Sequence, residues 1–378
     1  MRRSEDRILT THTGSLPRPD DLVALLYARD AGEPVDEAAF QARAREAVAG
    51  IVREQVAAGI DVVNDGEQAK VGYSTYVKER LTGFGGGAGR ALAIADLADF
   101  PEYAGRRGGM SFARPACTGP VAYRGLDAVR EDLAAFRAAL AGVDAADAFL
   151  TAASPGVISL FLENQYYPSH EAYLFALADA MKTEYDAIHQ AGFVLQLDCP
   201  DLAMGRHIQF ADASLAEFRR NAELHVAALD RALADIPPDR LRMHLCWGNY
   251  EGPHHRDVAL RDIIDIVFTA RPSAISFEAA NPRHEHEWAV FEDVALPAGK
   301  ILIPGALDST TNFIEHPELV AQRIVRLARL VGRENVIAGT DCGFATFAGR
   351  GAVDPRITWA KFAALAEGAR LASAQLWA

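Results

Sequence analysis

The chain has 378 residues and a formal net charge of −13, from 38 basic and 51 acidic side chains. Half of the residues are apolar and 24% are charged, a globular composition that excludes disorder or a collagen-like repeat as a description of the whole chain. The acidic excess repels phosphate backbones, so no nucleic-acid partner is expected.

The N-terminal MRRSEDRILTTHTG has basic residues but no apolar stretch behind them, and no run of about 18 apolar residues follows anywhere. A secretory signal and a membrane span are therefore not expected, and the chain reads as cytoplasmic. Its four cysteines are too few for a disulfide scaffold at this length.

In chain order, eight short β-branched or apolar runs end in polar residues: ILTTHTGS (8–15), DVVNDGE (61–67), FLTAASPG (149–156), VLQLDCP (194–200), RMHLCW (242–247), AISFEAA (274–280), ILIPGALD (301–308) and VIAGTDCG (336–343). Helical spacing of apolar residues fills most of the gaps, as in Glu37–Ala58, His170–Gln190 and Pro317–Leu330. Strands alternating with helices imply a parallel α/β sheet, and eight units make a closed (β/α)8 TIM barrel the simplest architecture. A doubly wound open sheet is the runner-up, weakened because no G-x-G-x-x-G turn follows the first strand. Residues 81–125 break the alternation with GFGGGAGR and the strand-like FARPACTGPVAYRG. They are expected to form an inserted hairpin after the second strand. The glycines Gly85–Gly87 lack the Lys-Ser/Thr of a phosphate loop and read as a flexible loop. With no repeat or linker to divide it, residues 1–378 are expected to be one domain.

Barrel enzymes carry their chemistry at the C-terminal strand ends. The polar residues there are Ser15, Glu67, Asp198, His244, Cys246, Glu278, Asp308, Asp341 and Cys342. His244 and Cys246 lie two apart, on one face of a strand. Spacing alone leaves open a metal site or a pair of buried core side chains. Glu278 and Cys342 at two further strand tips add donors of the kind a tetrahedral zinc site uses. Cys117 and Cys199 lack such partners and read as structural. The histidines of GPHHRD and PRHEHEW read as solvated loop residues.

HTGSLPRP, VVNDGEQAKVGYSTYVKERLTGF, LQLDCPDL, HLCW, ISFE, GALDS and GTDCGF occur in an order that resembles the catalytic C-terminal domain of cobalamin-independent methionine synthase. The likeness runs from about His12 to Phe344. It is closer still to shorter, single-domain relatives, among them stand-alone methionine synthase-like proteins and epoxyalkane:coenzyme M transferases. The resemblance implies one catalytic Zn2+ held by His244, Cys246, Glu278 and Cys342. It also implies that Glu67 and Asp198 hold the amino group of homocysteine, while the Gly14–Ser15 turn receives its carboxylate. Resident cations such as Arg18 or Lys70 are the alternative partners of the two acids.

The family's histidine after the aspartate of GALDS is absent: Asp308, the matching catalytic residue, is followed by Ser309. Proton delivery would then pass through His170, His207 or water. The extra N-terminal barrel of the long synthase is also absent, which leaves the methyl donor open. The implied chemistry is zinc-dependent transfer of an alkyl group, methyl above all, to a thiol, with folate, another methyl carrier or an epoxide as donor. The alternatives are opening of an epoxide by coenzyme M, or a metal-free barrel like uroporphyrinogen decarboxylase.

Overall fold

The parallel runs need neighbours on both sides to satisfy their backbone groups, and closing the sheet supplies them. The computed structural model describes residues 1–88, 93–107 and 114–378. Its strands are β1 (Val62–Val63), β2 (Phe84–Ala88), β3 (Pro115–Cys117), β4 (Asp147–Ala153), β5 (Val194–Asp198), β6 (Leu241–Leu245), β7 (Ala274–Phe277), β8 (Ile301–Leu307) and β9 (Gly339–Thr340). Seven form a parallel sheet in the order β1-β4-β5-β6-β7-β8-β9. Residues 9–11 complete it. The Thr11 N–H donates to Ala338 O and the Ala338 N–H to Leu9 O, both at 2.8 Å, while the Val62 N–H donates to Thr10 O at 3.0 Å. The first run is thus the stave between β9 and β1, and all eight expected strands find places around the barrel.

The outer helices follow the expected spacing: Glu37–Ala57, His170–Gln190 and Pro317–Val331. The last buries Val320, Ala321, Ile324, Val325, Leu327 and Ala328 as one stripe against the strands. Asp36 and Ser169 cap the first two by accepting backbone N–H groups that the helix leaves unpaired. Among the described residues no helix is long and apolar enough to cross a membrane.

The insertion after β1 contains the expected antiparallel pair, β2 with β3, registered Phe84 to Cys117 and Gly85 to Ala116. Part of the connection between them lies outside the described residues. The Gly85–Gly87 run is strand rather than loop. The register shifts between Gly85 and Ala88, where Gly86 adopts φ +77°, a left-handed conformation that glycine takes at low cost in a bulge.

The barrel floor is polar. Arg242 reaches across it to Thr11 Oγ1 and His12 O, with its guanidinium 3.9 Å from the Phe149 ring centre. His12 lies within 2.8 Å of Gln55 Oε1 through Nε2 and accepts the Gly14 N–H through Nδ1, so it is neutral with the proton on Nε2. Burial lowers its pKa to about 3. The unfolded chain takes up a proton near pH 6.5 that the folded chain refuses. His12 therefore contributes stability above that pH and loses it as the pH falls toward 3, on the order of 1.4 kcal/mol per unit. Thermal midpoints at pH 7 and pH 5 should lie closer together in His12→Gln than in the wild type. An unchanged gap would refute this.

Candidate metal centre at the barrel mouth

Strand period two places residues 242, 244 and 246 on the inner face of β6 and its exit, so His244 and Cys246 look into the mouth. Cys342, just past β9, arrives from the far side of the sheet order. Its Sγ lies 3.1 Å from Cys246 Sγ, and both thiols are free. One donor atom from each of His244, Cys246 and Cys342 lies within 4.8 Å of the other two. Glu278, after β7, stands beside this triad with Oε1 3.8 Å from Cys342 Sγ. Its carboxylate accepts the Trp247 N–H (2.8 Å) and Asn281 Nδ2 (2.7 Å), and pairs with Arg283.

The electrostatics suit a cation. Burial and the adjoining Cys246 thiol push Cys342 well above the ordinary thiol range. Burial holds His244 near 4, hence neutral, and its Nδ1 lies 3.3 Å from Ser276 Oγ, which leaves Nε2 as a ligand. The Gly248 N–H already points at Cys246 Sγ from 3.2 Å. Two buried thiols and a neutral imidazole converging on one place, with the Glu278 carboxylate next to them but held by Trp247, Asn281 and Arg283, are donors of the kind a soft divalent ion takes.

Asp341 fixes this arrangement from behind. It accepts the Ala279 and Ala280 N–H groups at Oδ1 and both nitrogens of Asn281 at Oδ2, between 2.8 and 2.9 Å. The loop carrying Glu278 is thereby tied to the residue before Cys342. Burial and then the charge of Glu278 push Asp341 up to about 7. Asn281 and Arg283 were not singled out in the sequence, although NPR follows the Glu278 strand end directly.

A second group adjoins the first. Glu67 follows Gly66 in a left-handed turn (φ +54°) and accepts Thr151 Oγ1 at 3.0 Å through Oε1. Among the described residues its Oε2 has no hydrogen-bond partner and forms only a long ion pair, 3.9 Å, with Arg18 Nη2. Arg18 spends its other donors on Glu67 O and Ala345 O. Lys70 Nζ donates to Thr151 O. Among the described residues neither forms an ion pair with Asp198, which accepts Gln196 Nε2. Burial and then the charge of Glu67 raise Asp198 well above the carboxylate range. A Cβ on Gly14 would sit 2.9 Å from Glu67 Oε1, and one on Gly343 would sit 2.0 Å from Ser15 Oγ. Glu67, the Gly14–Ser15 turn and Cys342 are therefore contiguous.

The remaining expected residues lie elsewhere or are engaged. Asp308 borders a cavity of about 630 Å³ together with Arg283 and His284. Its oxygens accept the Thr310 N–H and the Thr310 and Thr311 hydroxyls. Ser309 Oγ donates to Asn249 Oδ1. His170 faces His225 at 2.9 Å, and His225 in turn faces Asp201. Cys117 and Cys199 are buried and join no metal cluster among the described residues. Of the loop histidines, His255 and His286 are exposed as expected, but His254 and His284 are buried. The reason is Asp257, whose carboxylate gathers both, while His284 also stacks on Trp247 with ring centres 4.1 Å apart. Against the cost of burial, hydrogen bonds to Asp257 and Glu287 raise His284 to about 9, so it is a cation at neutral pH.

Residues 160–364, more than half the chain, match the family model described as the catalytic domain of cobalamin-independent synthase. A methionine synthase of Thermococcus kodakarensis is 24% identical over 370 residues, covering 97% of this chain and 94% of that protein. One of Saccharolobus solfataricus is 23% identical, covering 97% and 95%. The structure of a B12-independent methionine synthase from Shewanella sp. W3-18-1 in complex with selenomethionine superposes with a TM-score of 0.74 at 21% identity, covering 98% of this chain and 99% of that one. That likeness bears on the fold, a (β/α)8 barrel.

Proposed function

Because the chain belongs to the cobalamin-independent synthase catalytic-domain family, we propose that it transfers a methyl group to the thiol of homocysteine, yielding methionine. The observation that carries this reading is the pair of buried carboxylates beside a His/Cys/Cys cluster: Glu67, whose ion pair with Arg18 is long at 3.9 Å, and Asp198, which has no ion pair among the described residues. Buried carboxylates compensated only by a long ion pair to Arg18 and by more distant cations keep part of their desolvation cost, which an incoming ammonium relieves.

His244, Cys246, Glu278 and Cys342 are the residues that would hold Zn2+, which when bound favours the deprotonated, nucleophilic form of a substrate thiol. Glu67 and Asp198 receive the substrate ammonium, while the Ser15 hydroxyl and the Gly14–Ser15 backbone receive its carboxylate. Arg283 offsets the charge of Glu278 and, with Asn281, fixes its direction. Asp308 shapes the donor side of the mouth by holding the Thr310–Thr311 turn. The donor is a methyltetrahydrofolate or another methyl carrier, and the reduced cysteines suit a cytoplasmic setting. We read residues 1–378 as one domain, with 81–125 inserted in it. A sulfonate thiol such as coenzyme M would meet two acids where it needs a cation. A polycarboxylate substrate of a decarboxylase would meet the same repulsion.

X-ray absorption at the zinc edge should gain one sulfur neighbour when homocysteine is added. Glu67→Gln should weaken homocysteine binding roughly 10- to 100-fold, the worth of one charged hydrogen bond, and leave an amine-free thiol unaffected. Failure to gain sulfur, or equal affinity for both thiols in the wild type, would sink the reading.

A further inference from the structure

A second constellation of ligating side chains joins three segments that the proposed reaction does not use. Asp96 belongs to the short helix Ala95–Ala98 of the inserted segment. His207 ends the single turn Met204–His207 after β5, and Asp257 lies in the loop after β6. The side chains of Asp96 and His207 are fully buried, and that of Asp257 is 7% exposed. One donor atom from each lies within 4.8 Å of the other two. Asp257 Oδ1 is 3.1 Å and Asp96 Oδ2 3.8 Å from His207 Nδ1.

Among the described residues neither ring nitrogen of His207 makes a well-directed hydrogen bond, although Asp257 Oδ1 lies 3.1 Å from Nδ1. The oxygen is off the direction in which a ring N–H would point. Ligands of one ion do not point at each other but at the ion between them. The edge of a tetrahedron with bonds of ~2.0–2.1 Å is about 3.4 Å, inside the range spanned by these two separations. The outward oxygens are already anchored, as ligands of an ion require. Asp257 Oδ2 faces His284 Nε2 and His254 Nδ1, each at 3.1 Å. Asp96 Oδ1 accepts the Arg256 N–H at 2.7 Å, and His255 Nδ1 is 3.4 Å from it. His254 is held at φ +50°, a left-handed conformation uncommon outside glycine, and this keeps its ring against Asp257.

We propose that Asp96, His207 and Asp257 form a second divalent-metal site that fastens the inserted segment to the loops after β5 and β6. One imidazole and two carboxylates, with no thiol, suit a first-row ion such as Zn2+, Mn2+ or Co2+, with solvent completing its shell. The site is independent of the cysteine cluster in every ligand, so either can fail alone.

Cobalt titration of the full-length, metal-free chain separates the two. Co2+ bound to cysteine sulfur gives an intense thiolate charge-transfer band, whereas Co2+ bound to oxygen and nitrogen gives only weak visible bands. The wild type should bind two equivalents, with the charge-transfer band complete at one. His207→Ala and Asp257→Asn should bind one and keep the band. Cys246→Ser should lose the band and keep one equivalent. Metal should also slow proteolysis within residues 93–107 about tenfold in the wild type but not in His207→Ala. Should His207→Ala fail to fold by circular dichroism, Cys246→Ser decides alone: one equivalent without the band supports the site, and none overturns it. Saturation of the wild type at one equivalent, or two equivalents retained by folded His207→Ala, overturns it as well.

Discussion

Cys342→Ser is expected to release the metal on dialysis and to lower methyl transfer by roughly 10³-fold, with the fold intact. The Cys342 sulfur sits 3.1 Å from Cys246 Sγ and 3.8 Å from Glu278 Oε1, the nearest thing to a common point among the four proposed ligands. A serine hydroxyl fills nearly the same volume but stays protonated and is a poor ligand for a soft ion. Because the site is 2% exposed and the change is nearly isosteric, the far-ultraviolet spectrum should be unaltered. Zinc content by elemental analysis and steady-state turnover provide the check. A variant that retains one tight zinc and near-normal rate would remove Cys342 from the centre and the proposed chemistry with it.

Gly305→Ala should destabilise the protein by about 3 kcal/mol and also weaken the metal centre, although Gly305 touches no ligand. A Cβ there would fall 2.0 Å from Asp341 Oδ1 and 2.6 Å from the Asp341 backbone nitrogen. Gly305 pairs with Gly339 across β8 and β9, so the strands leave no lateral room. Asp341 must move, and its movement breaks the bonds from Ala279, Ala280 and Asn281 that hold the Glu278 loop. Zinc affinity is then expected to fall 10- to 100-fold, the usual consequence of disturbing groups that orient a ligand. Denaturant titration and competition with a chelator measure the two effects. Lost stability with unchanged zinc affinity would show that Asp341 braces the barrel without bracing the centre.

The strand runs and the positions of His244 and Cys246 were legible because their cause is local. Alternation of two along a strand and polar residues at its end need no knowledge of distant chain. The same holds for the long amphipathic helices, whose ends agree with the spacing to within a residue. The glycine run 85–87 reads as a loop from the sequence because a strand of glycines has no side-chain pattern to reveal it; only its partner β3 does.

Sequence by itself settled which donor types stand at which strand ends, and therefore the kind of chemistry on offer. Tertiary structure decided how those donors are held. Glu278 is steered by Arg283 and by Asp341 from 63 positions away along the chain, Asp308 is absorbed by its own turn, and Asp257 draws His254 and His284 out of solvent. Each of those outcomes depends on which polar group is brought within about 3 Å of another, and closure of the barrel, not spacing along the chain, sets that distance.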